Sequence, residues 1–228
     1  MIRVCQCIEK ARTQVDVIAL FQDEFTFYQQ PTVANCWDHR GKSQPLARLG
    51  NNSNKKCRIV GALDVSNGTV IFDQRIKIGV HALVAFCKQI RKQNQNARII
   101  YIIMDNWPVH KHPKVLQAAR EANLQFISLP TYAPWTNPIE KLWRWLYQDI
   151  LHLHRHAGQW GLLKKMVANF LNQFEHGSDN LLRYVGLSNG KIPASPPNWK
   201  EIIDSNETTL LPENGTQYTR TLKEILPA

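Results

Sequence analysis

Runs of apolar residues along the chain predict strands in its first third, followed by helices and strands in alternation. Two of the predicted strands flank Ser66-Asn67-Gly68, which favours a β-hairpin because Asn-Gly accommodates the positive φ angles of a tight turn. The run Ile99–Met104 is apolar throughout, so this strand is expected to be covered on both faces. Strands are expected at residues 15–22, 32–37, 57–65, 69–76, 97–104 and 124–129.

Apolar residues spaced by three and four positions predict helices in the rest of the chain. Helices are expected at residues 1–14, 81–93, 113–122, 138–153, 160–174 and 179–185. A hairpin followed by helix–strand units favours a mixed sheet with helices on its faces, which is an α/β fold. The expected organisation is a helical lead-in at residues 1–14 and one α/β domain at residues 15–187. Prolines interrupt residues 188–228, so an extended or disordered tail is expected there.

The composition is that of a folded chain, with 43% hydrophobic and 20% charged residues among 228. The longest apolar run, Ile99–Met104, is far shorter than the roughly 20 residues that a membrane span needs. Charged and polar residues follow Met1 closely, where a secretory signal would have an apolar segment. Five cysteines without a CxxC pair indicate reduced thiols, and a cytoplasmic location is therefore expected.

Positive charge is concentrated in most of the chain. The net charge is +10, and it divides into +13 over residues 1–200 and −3 over residues 201–228. No acidic residue lies between Asp73 and Asp105. Such a field favours a polyanionic partner, with nucleic acid as the leading candidate and a merely basic domain as the alternative. Basic residues of the acid-free stretch that are expected to contact phosphates are Lys88, Arg91 and Lys92.

Three carboxylates stand at the ends of predicted elements. Asp23 follows the first strand, Asp105 follows the buried strand, and Glu140 opens the helix after the last strand. Such ends gather at one edge of an open α/β sheet. Carboxylate oxygens suit Mg²⁺ or Mn²⁺, and two such ions can promote phosphoryl transfer. The pattern favours a nuclease or phosphoryl transferase that acts on nucleic acid.

Each of these carboxylates also has a purely structural interpretation. Asp23 and Asp105 could cap turns, because aspartate side chains bond readily to nearby backbone. Asn137-Pro138-Ile139-Glu140 has the form of a capping box, in which the glutamate serves the helix start. Glu140 could also pair with Arg144, four residues further along the helix. Residue types alone leave these alternatives open.

The segment SLPTYAPWTNPIEKLW, residues 128–143, resembles the signature of DDE transposases of the mariner-like bacterial insertion-sequence family. DNWPVH, which begins at Asp105, is similar to that family's Asp-Asn motif with a histidine five residues after the aspartate. Thirty-four residues separate Asp105 from Glu140, as is characteristic of the family. The resemblance covers about residues 15–155. Further matches in the same order are FQDE at residues 21–24, Trp37 and IVGALD at residues 59–64.

The resemblance implies an RNase H-like fold, with a mixed sheet and helices on both faces, for residues 15–187. It implies that Asp23, Asp105 and Glu140 are catalytic and bind two Mg²⁺ ions, for which Mn²⁺ can substitute. Asp23 would bridge both ions, and the other two carboxylates would hold one each. The implied chemistry is hydrolysis at transposon ends and attack of the freed 3′-hydroxyl on target DNA, without a covalent protein–DNA intermediate.

The implied partners are double-stranded DNA, at transposon ends and target sites, and a second copy of the chain in an active homodimer. Family members carry about one hundred residues of helix-turn-helix sequence before the catalytic domain, a domain-sized block. Here Asp23 comes almost at once. We therefore expect a fragment or the second product of a split reading frame, with a separately encoded helix-turn-helix part and a nucleoid-associated location.

Other residues near the carboxylates have weaker signals. His110 could contact the scissile phosphate or a metal-bound water, or it could bond locally before the next helix. Trp135 lies in a loop beside the expected site and is a candidate for DNA contact, whereas Trp143 lies on an apolar helical stripe and is expected in the core. Glu24 is expected to face away from Asp23, because adjacent strand residues point to opposite faces. Histidines at alternate positions in residues 152–156 share no helical face and do not predict zinc.

The leading interpretation is a transposase catalytic domain. One alternative is a DNA-binding transposase remnant without catalytic activity. A second is an RNase H-like nuclease that cuts RNA in hybrids, which the Asn-Pro-Ile-Glu motif disfavours.

Overall fold

The structure, a computed structural model, describes residues 2–32, 47–51, 53–130 and 136–188. Residues 189–228 of the expected tail, residues 33–37 of the expected short strand, and Trp135 lie outside the described residues.

Five strands form one mixed sheet in the order β3-β2-β1-β4-β5. Strand β2 pairs antiparallel with both β3 and β1, whereas β1, β4 and β5 run parallel to one another. This arrangement confirms the expected mixed α/β sheet. The strands are β1 (Val17–Tyr28), β2 (Lys56–Asp64), β3 (Val70–Arg75), β4 (Ile99–Met104) and β5 (Leu124–Ser128).

Six α-helices accompany the sheet in the described part of the chain. They are α1 (Ile2–Thr13), α2 (Val80–Gln93), α3 (Pro113–Glu121), α4 (Ile139–Leu146), α5 (Trp160–Asn172) and α6 (Asp179–Val185). The expected helix at residues 138–153 is α-helical only to Leu146. It continues as a wider π-helical segment, Tyr147–Leu151, and the chain then turns at Leu153, whose φ is positive at 50°.

Helices cover both faces of the sheet. On one face, α2 and α3 pack on alternate strand residues that include Leu20, Val60 and Ile102. On the other face, α1, α4, α5 and α6 pack on the intervening residues, among them Phe21 and Ile103. The two-residue alternation of strands explains this division, since neighbouring side chains on a strand enter opposite cores.

The first strand is longer than its apolar run predicted. The prediction that the strand ends before Asp23 is wrong, because β1 continues to Tyr28. Its parallel pairing with β4 stops at Phe21, but its antiparallel pairing with β2 goes on and sets Asp23 opposite Gly61. Asp23 therefore lies inside a strand, two residues beyond the last parallel pair.

The hairpin turn between β2 and β3 forms at the predicted Asn-Gly. Gly68 has a positive φ of 74°, which a side chain would disfavour. The buried Asp64 carboxylate accepts a hydrogen bond from the Ser66 backbone N–H at 2.7 Å and so stabilises the turn. Asp64 is thus a structural residue.

None of the helices in the described ranges is long and apolar enough to cross a membrane. The four cysteines of these ranges, Cys5, Cys7, Cys57 and Cys87, are free thiols.

Candidate active site

Asp23, Asp105 and Glu140 come together at one edge of the sheet. Asp23 lies on β1 beyond its parallel pairing, Asp105 directly follows β4, and Glu140 lies in the first turn of α4. The charge of Glu140 acts on Asp23, and the charge of Asp105 acts on Glu140, so the three carboxyl groups lie within electrostatic reach of one another. Tertiary folding therefore joins the three carboxylates that the sequence pattern selected.

The surrounding protein does not fully offset the negative charge of the carboxylates at this edge. Burial, and then the charges of Glu140 and Glu24, raise the pKa of Asp23 to about 8. Burial also raises the pKa of Glu140, with a contribution from Asp105 and against the opposing effects of Asp23 and Arg144. Two adjacent carboxyl groups that share a site cannot both ionise easily.

Trp143 holds Asp23 from the α4 side. Its indole Nε1–H donates to Asp23 Oδ2 at 3.0 Å, while its ring stacks on Phe25 with centroids 5.5 Å apart. The ring also lies over Gly61, where an added Cβ would stand 2.5 Å from ring atom Cη2. The sequence placed Trp143 in the core, which is correct, but did not predict its bond to Asp23. The available signal was its position three residues after Glu140, since that spacing puts side chains on neighbouring positions of a helix face.

The capping-box interpretation of Glu140 is wrong. Helix α4 begins at Ile139 and has no side-chain cap at its start. The buried Asn137 side chain turns instead to β1, where its Nδ2 donates to the Gln22 carbonyl at 3.3 Å. Asn137 thereby ties the start of α4 to the strand residue that precedes Asp23.

His110 lies inside the protein, with only 3% of its surface exposed. Its Nδ1 is 3.4 Å from Asp105 Oδ1, and its Nε2 is 3.2 Å from Glu24 Oε1. Burial opposes protonation, but the bonds and charges of Glu24 and Asp105 outweigh it and raise the pKa of His110. This geometry matches the locally bonded alternative and gives the ring no open path to a DNA phosphate.

The basic residues predicted from α2 differ in their roles. The Arg91 guanidinium donates to the carbonyl groups of Ala97 and Ala122 at 2.8 and 2.6 Å, which braces the ends of α2 and α3. Lys88 and Lys92 line an open surface cleft of about 380 Å³. These residues lie toward the end of α2 that is remote from the carboxylates. The helix has 14 residues and is therefore about 21 Å long.

A second basic cleft, of about 490 Å³, lies where α2 and α3 begin. Strands β3 and β4 run in the same direction, so both end at the same edge of the sheet, and the helix after each strand begins there. The cleft therefore lies at the sheet edge that carries the carboxylates. No local sequence pattern marks this cleft, because its residues come from separate segments of the chain. Its ionisable lining consists of Arg75, Lys77, His81, His112 and Lys114.

The donor set fits a hard divalent cation in its chemistry. Carboxylate oxygens are the ligands that Mg²⁺ and Mn²⁺ prefer. Across residues 2–32, 47–51, 53–130 and 136–188, no three His, Cys, Asp or Glu side chains are arranged closely enough to hold a metal as they stand. The raised pKa of Asp23 and of Glu140 instead indicates an excess of negative charge, which a cation would offset.

Comparison with protein families gives one match that spans the site. A family model described as DDE superfamily endonuclease matches residues 19–161. The chain is also similar to the insertion element IS630 uncharacterized 39 kDa protein of Shigella sonnei, with 27% identity over 147 residues. That alignment covers 64% of this chain and 42% of the relative, so the chain spans about two fifths of the relative's length.

Solved structures share the fold. The Mos1 mariner paired-end complex with Mn aligns with a TM-score of 0.57 at 15% identity, covering 81% of this chain and 56% of that chain. The Mos1 transposase catalytic domain with raltegravir and Mn aligns with a TM-score of 0.53 at 13% identity, covering 92% and 94%. The likeness confirms the expected RNase H-like mixed sheet with helices on both faces.

Proposed function

This chain belongs to the DDE superfamily endonuclease family, and on that premise we propose that it is the catalytic domain of a DNA transposase. The observation that carries the proposal is the meeting of Asp23, Asp105 and Glu140 at one sheet edge, where the charge of Glu140 acts on Asp23 and the charge of Asp105 acts on Glu140. The resemblance of residues 128–143 to the mariner-like insertion-sequence signature supports transposition over other endonuclease reactions.

Asp23, Asp105 and Glu140 would hold two Mg²⁺ ions, or Mn²⁺ in their place, through carboxylate oxygens. When bound, such ions activate the attacking oxygen and stabilise the charge that develops around phosphorus. The chain's own groups orient the carboxylates. Trp143 donates to one oxygen of Asp23, and the backbone N–H of Trp107 donates to Oδ1 of Asp105 at 3.0 Å.

The proposed reaction has two phosphoryl-transfer steps. In the first, a water oxygen bonds to phosphorus at the transposon end while the bond from phosphorus to the 3′ oxygen breaks. The water loses a proton and the departing oxygen gains one, which leaves a 3′-hydroxyl. In the second, the oxygen of that hydroxyl bonds to phosphorus in target DNA while the bond from phosphorus to the target strand's 3′ oxygen breaks. The attacking hydroxyl loses a proton and the departing 3′ oxygen gains one.

Duplex DNA is the proposed substrate, both at transposon ends and at the target. The net charge of +13 over residues 1–200 and the basic cleft beside the carboxylates support binding to phosphates. A homodimer that pairs two ends, and a separately encoded helix-turn-helix part that recognises them, complete the proposal. Its place of action would be the nucleoid in the cytoplasm, where that DNA lies.

Substitution of Glu140 tests the function. A labelled duplex that carries the element's end is incubated with Mg²⁺ and the wild-type chain, with its separately encoded part if one is found. We expect nicking by the wild type and none by Glu140→Gln, because the amide lacks the charge that a metal ligand needs. The melting temperature of Glu140→Gln should stay equal or rise, since the change removes repulsion with Asp23.

Glu175→Gln, an exposed change outside the site, serves as the matched control and should cleave normally. Cleavage by Glu140→Gln at the wild-type rate would show that Glu140 is not a ligand. Absence of cleavage by the wild type, together with retained DNA binding, would favour the inactive remnant. Preferential cutting of RNA in a hybrid arm would favour the RNase H-like alternative.

A further inference from the structure

His110 is a buried polar side chain for which neither DNA contact nor core packing accounts. It lies in the 3₁₀ turn Pro108–Lys111, is 3% exposed, and meets the Trp107 ring edge-on with centroids 5.4 Å apart. Burial of an imidazole is unfavourable unless its nitrogens have partners. Both ring nitrogens have them, and every partner lies within two residues of a proposed metal ligand or is one.

We propose that His110 is a positioning residue that sets the orientation of the Asp105 carboxylate for metal binding, and that Gln22 and Glu24 hold the far side of its ring. This inference rests on the proposed function of Asp105 as a ligand. It assigns His110 a role through another residue, without contact to the DNA.

The near side of the ring acts on one oxygen of Asp105. Oδ1 accepts from the Trp107 backbone N–H at 3.0 Å, and His110 Nδ1 lies 3.4 Å from Oδ1 and 3.5 Å from the backbone carbonyl oxygen of Asp105. Asp105 itself is exposed, so its side chain would otherwise have freedom to rotate. The Trp107 N–H therefore holds Oδ1, and the His110 ring lies against both Oδ1 and the backbone carbonyl of Asp105, which restricts the rotation of the carboxylate.

The far side of the ring is held by β1. His110 Nε2 lies 3.2 Å from Glu24 Oε1 and 3.4 Å from Gln22 Nε2, which itself donates to Glu24 Oε1 at 3.2 Å. A neutral ring can accept from Gln22, and a protonated ring can donate to Glu24. In either state Nδ1–H remains directed at Asp105, so the positioning does not depend on the charge of the ring.

Strand β1 therefore contributes to the positions of two proposed metal ligands, Asp23 and Asp105. Side chains alternate along β1, so Asp23 faces α4 while Gln22 and Glu24 face His110 on the other side of the sheet. Two connections therefore join the chain segments of Asp23 and Asp105: the imidazole of His110 and the parallel pairing of β1 with β4. Loss of a group that orients a metal ligand typically weakens metal affinity by about 10–100-fold.

Two amide substitutions of His110 distinguish a positioning role from a role in which the side chain only fills buried space. In His110→Asn the amide nitrogen can take the place of Nδ1, whereas in His110→Gln it reaches toward the position of Nε2. Mn²⁺ binding to the folded full chain is measured without DNA, from the electron paramagnetic resonance signal of free Mn²⁺. We expect His110→Asn to bind close to wild type and His110→Gln to bind about 10–100-fold more weakly, with cleavage following the same order.

His154 provides the matched control, because it is also buried, at 7% exposure, and its Nδ1 accepts from the His156 backbone N–H at 3.1 Å. His154→Gln should leave Mn²⁺ affinity unchanged. In an Asp105→Asn background, His110→Gln should cause little further loss, since the group that it positions has been altered. Equal Mn²⁺ affinity of wild type and His110→Gln, or full additivity in that background, would overturn the positioning role.

A measurement on the unmodified ring covers the case in which His110→Gln does not fold. The imidazole Nδ1–H of His110 should give a slowly exchanging NMR signal that Asp105→Ala shifts strongly, because the carboxylate oxygen 3.4 Å from Nδ1 is lost while the backbone carbonyl remains. A signal that is unaffected by Asp105→Ala would overturn the inference. Failure of the wild type to bind Mn²⁺ at all would instead overturn the proposed function, and this inference with it.

Discussion

The carboxyl group of Asp23 is partly buried beside Glu140 and Glu24, and its surroundings oppose ionisation. Burial contributes most to this effect, and the two neighbouring charges add to it. The indole of Trp143 acts in the opposite direction but does not balance it. Such a group is tolerated in a folded protein when a bound cation offsets the charge, as a metal ligand would require.

The pH dependence of stability should report this arrangement. The pKa of Asp23 is raised from 3.8 to about 8, so the folded chain binds a proton more tightly than the unfolded chain. Stability of the metal-free protein should therefore be greatest below about pH 4 for this group and should fall as pH rises toward 8. Asp23→Asn should flatten the fall, as measured by thermal melting with a chelator present.

Asp16→Asn is the control for that experiment. The bond to Arg98 lowers the pKa of Asp16, so this substitution should leave the fall between pH 4 and 8 in place. Added Mg²⁺ should restore stability at pH 8 in the wild type more than in Asp23→Asn, because only the wild type has all three carboxylates. Parallel curves for wild type and Asp23→Asn would show that Asp23 is not under electrostatic strain.

Among the elements, the contact between α4 and the β1–β2 pair decides the position of the site. Trp143 of α4 reaches across to Asp23, and it can do so only because residue 61 of β2 has no side chain. The rigid indole cannot bend away from an added methyl group, so α4 itself would have to move. Glycine is required here for close approach and not for its backbone angles.

Gly61→Ala should therefore be destabilising, by about 1–3 kcal/mol as is typical of overpacking. It should also reduce cleavage, because displacement of Trp143 releases Asp23. Gly161→Ala, at a helical position with nothing within 4 Å of the new Cβ, should be neutral or stabilising. Urea unfolding and the cleavage assay measure the two effects, and equal stability of the two variants would contradict the proposed packing constraint.

At the scale of the whole molecule, two basic clefts lie near opposite ends of α2. The cleft with Lys77 and Lys114 shares the carboxylate edge, whereas the cleft with Lys88 and Lys92 is remote from it. Because the first cleft lies at the carboxylate edge, its lysines are better placed than Lys88 and Lys92 to meet the phosphates of DNA at the carboxylates. Arg91, which the sequence placed with Lys88 and Lys92, is committed to backbone carbonyl groups.

DNA binding should consequently be steeply salt-dependent and sensitive to the first cleft. For 6–10 phosphate contacts, affinity should fall by about 10³–10⁵ between 50 and 200 mM salt. The double variant Lys77→Gln/Lys114→Gln should reduce the logarithmic salt slope by about 2, or one for each lost contact. Lys88→Gln/Lys92→Gln serves as the matched pair and should have the smaller effect in fluorescence anisotropy titrations.

A flat salt response would remove the electrostatic basis for DNA binding. A larger effect of the Lys88 and Lys92 pair would instead place the DNA along the remote end of α2, as the sequence alone predicted.

The sequence by itself determined most helices and strands, the Asn-Gly hairpin and the three carboxylates. These features are local: periodicity of 2.0 or 3.6 residues, turn chemistry and a spaced motif are readable without knowledge of neighbours. Helix α6, expected at residues 179–185, has those bounds in the structure. Asp105 likewise lies directly after its strand, because an apolar run followed by Asp-Asn marks a strand end on its own.

Only the tertiary structure decided the extent of β1 and the surroundings of its carboxylate. The second half of β1 contains polar residues, so its sequence did not predict a strand. It is a strand because it pairs with β2. The burial of His110, the turning of Asn137 toward Gln22 and the bond from Trp143 to Asp23 all join residues more than 80 positions apart. Hydrogen bonds of this kind follow from which chain segments pack together, a property that no local pattern of residue types contains.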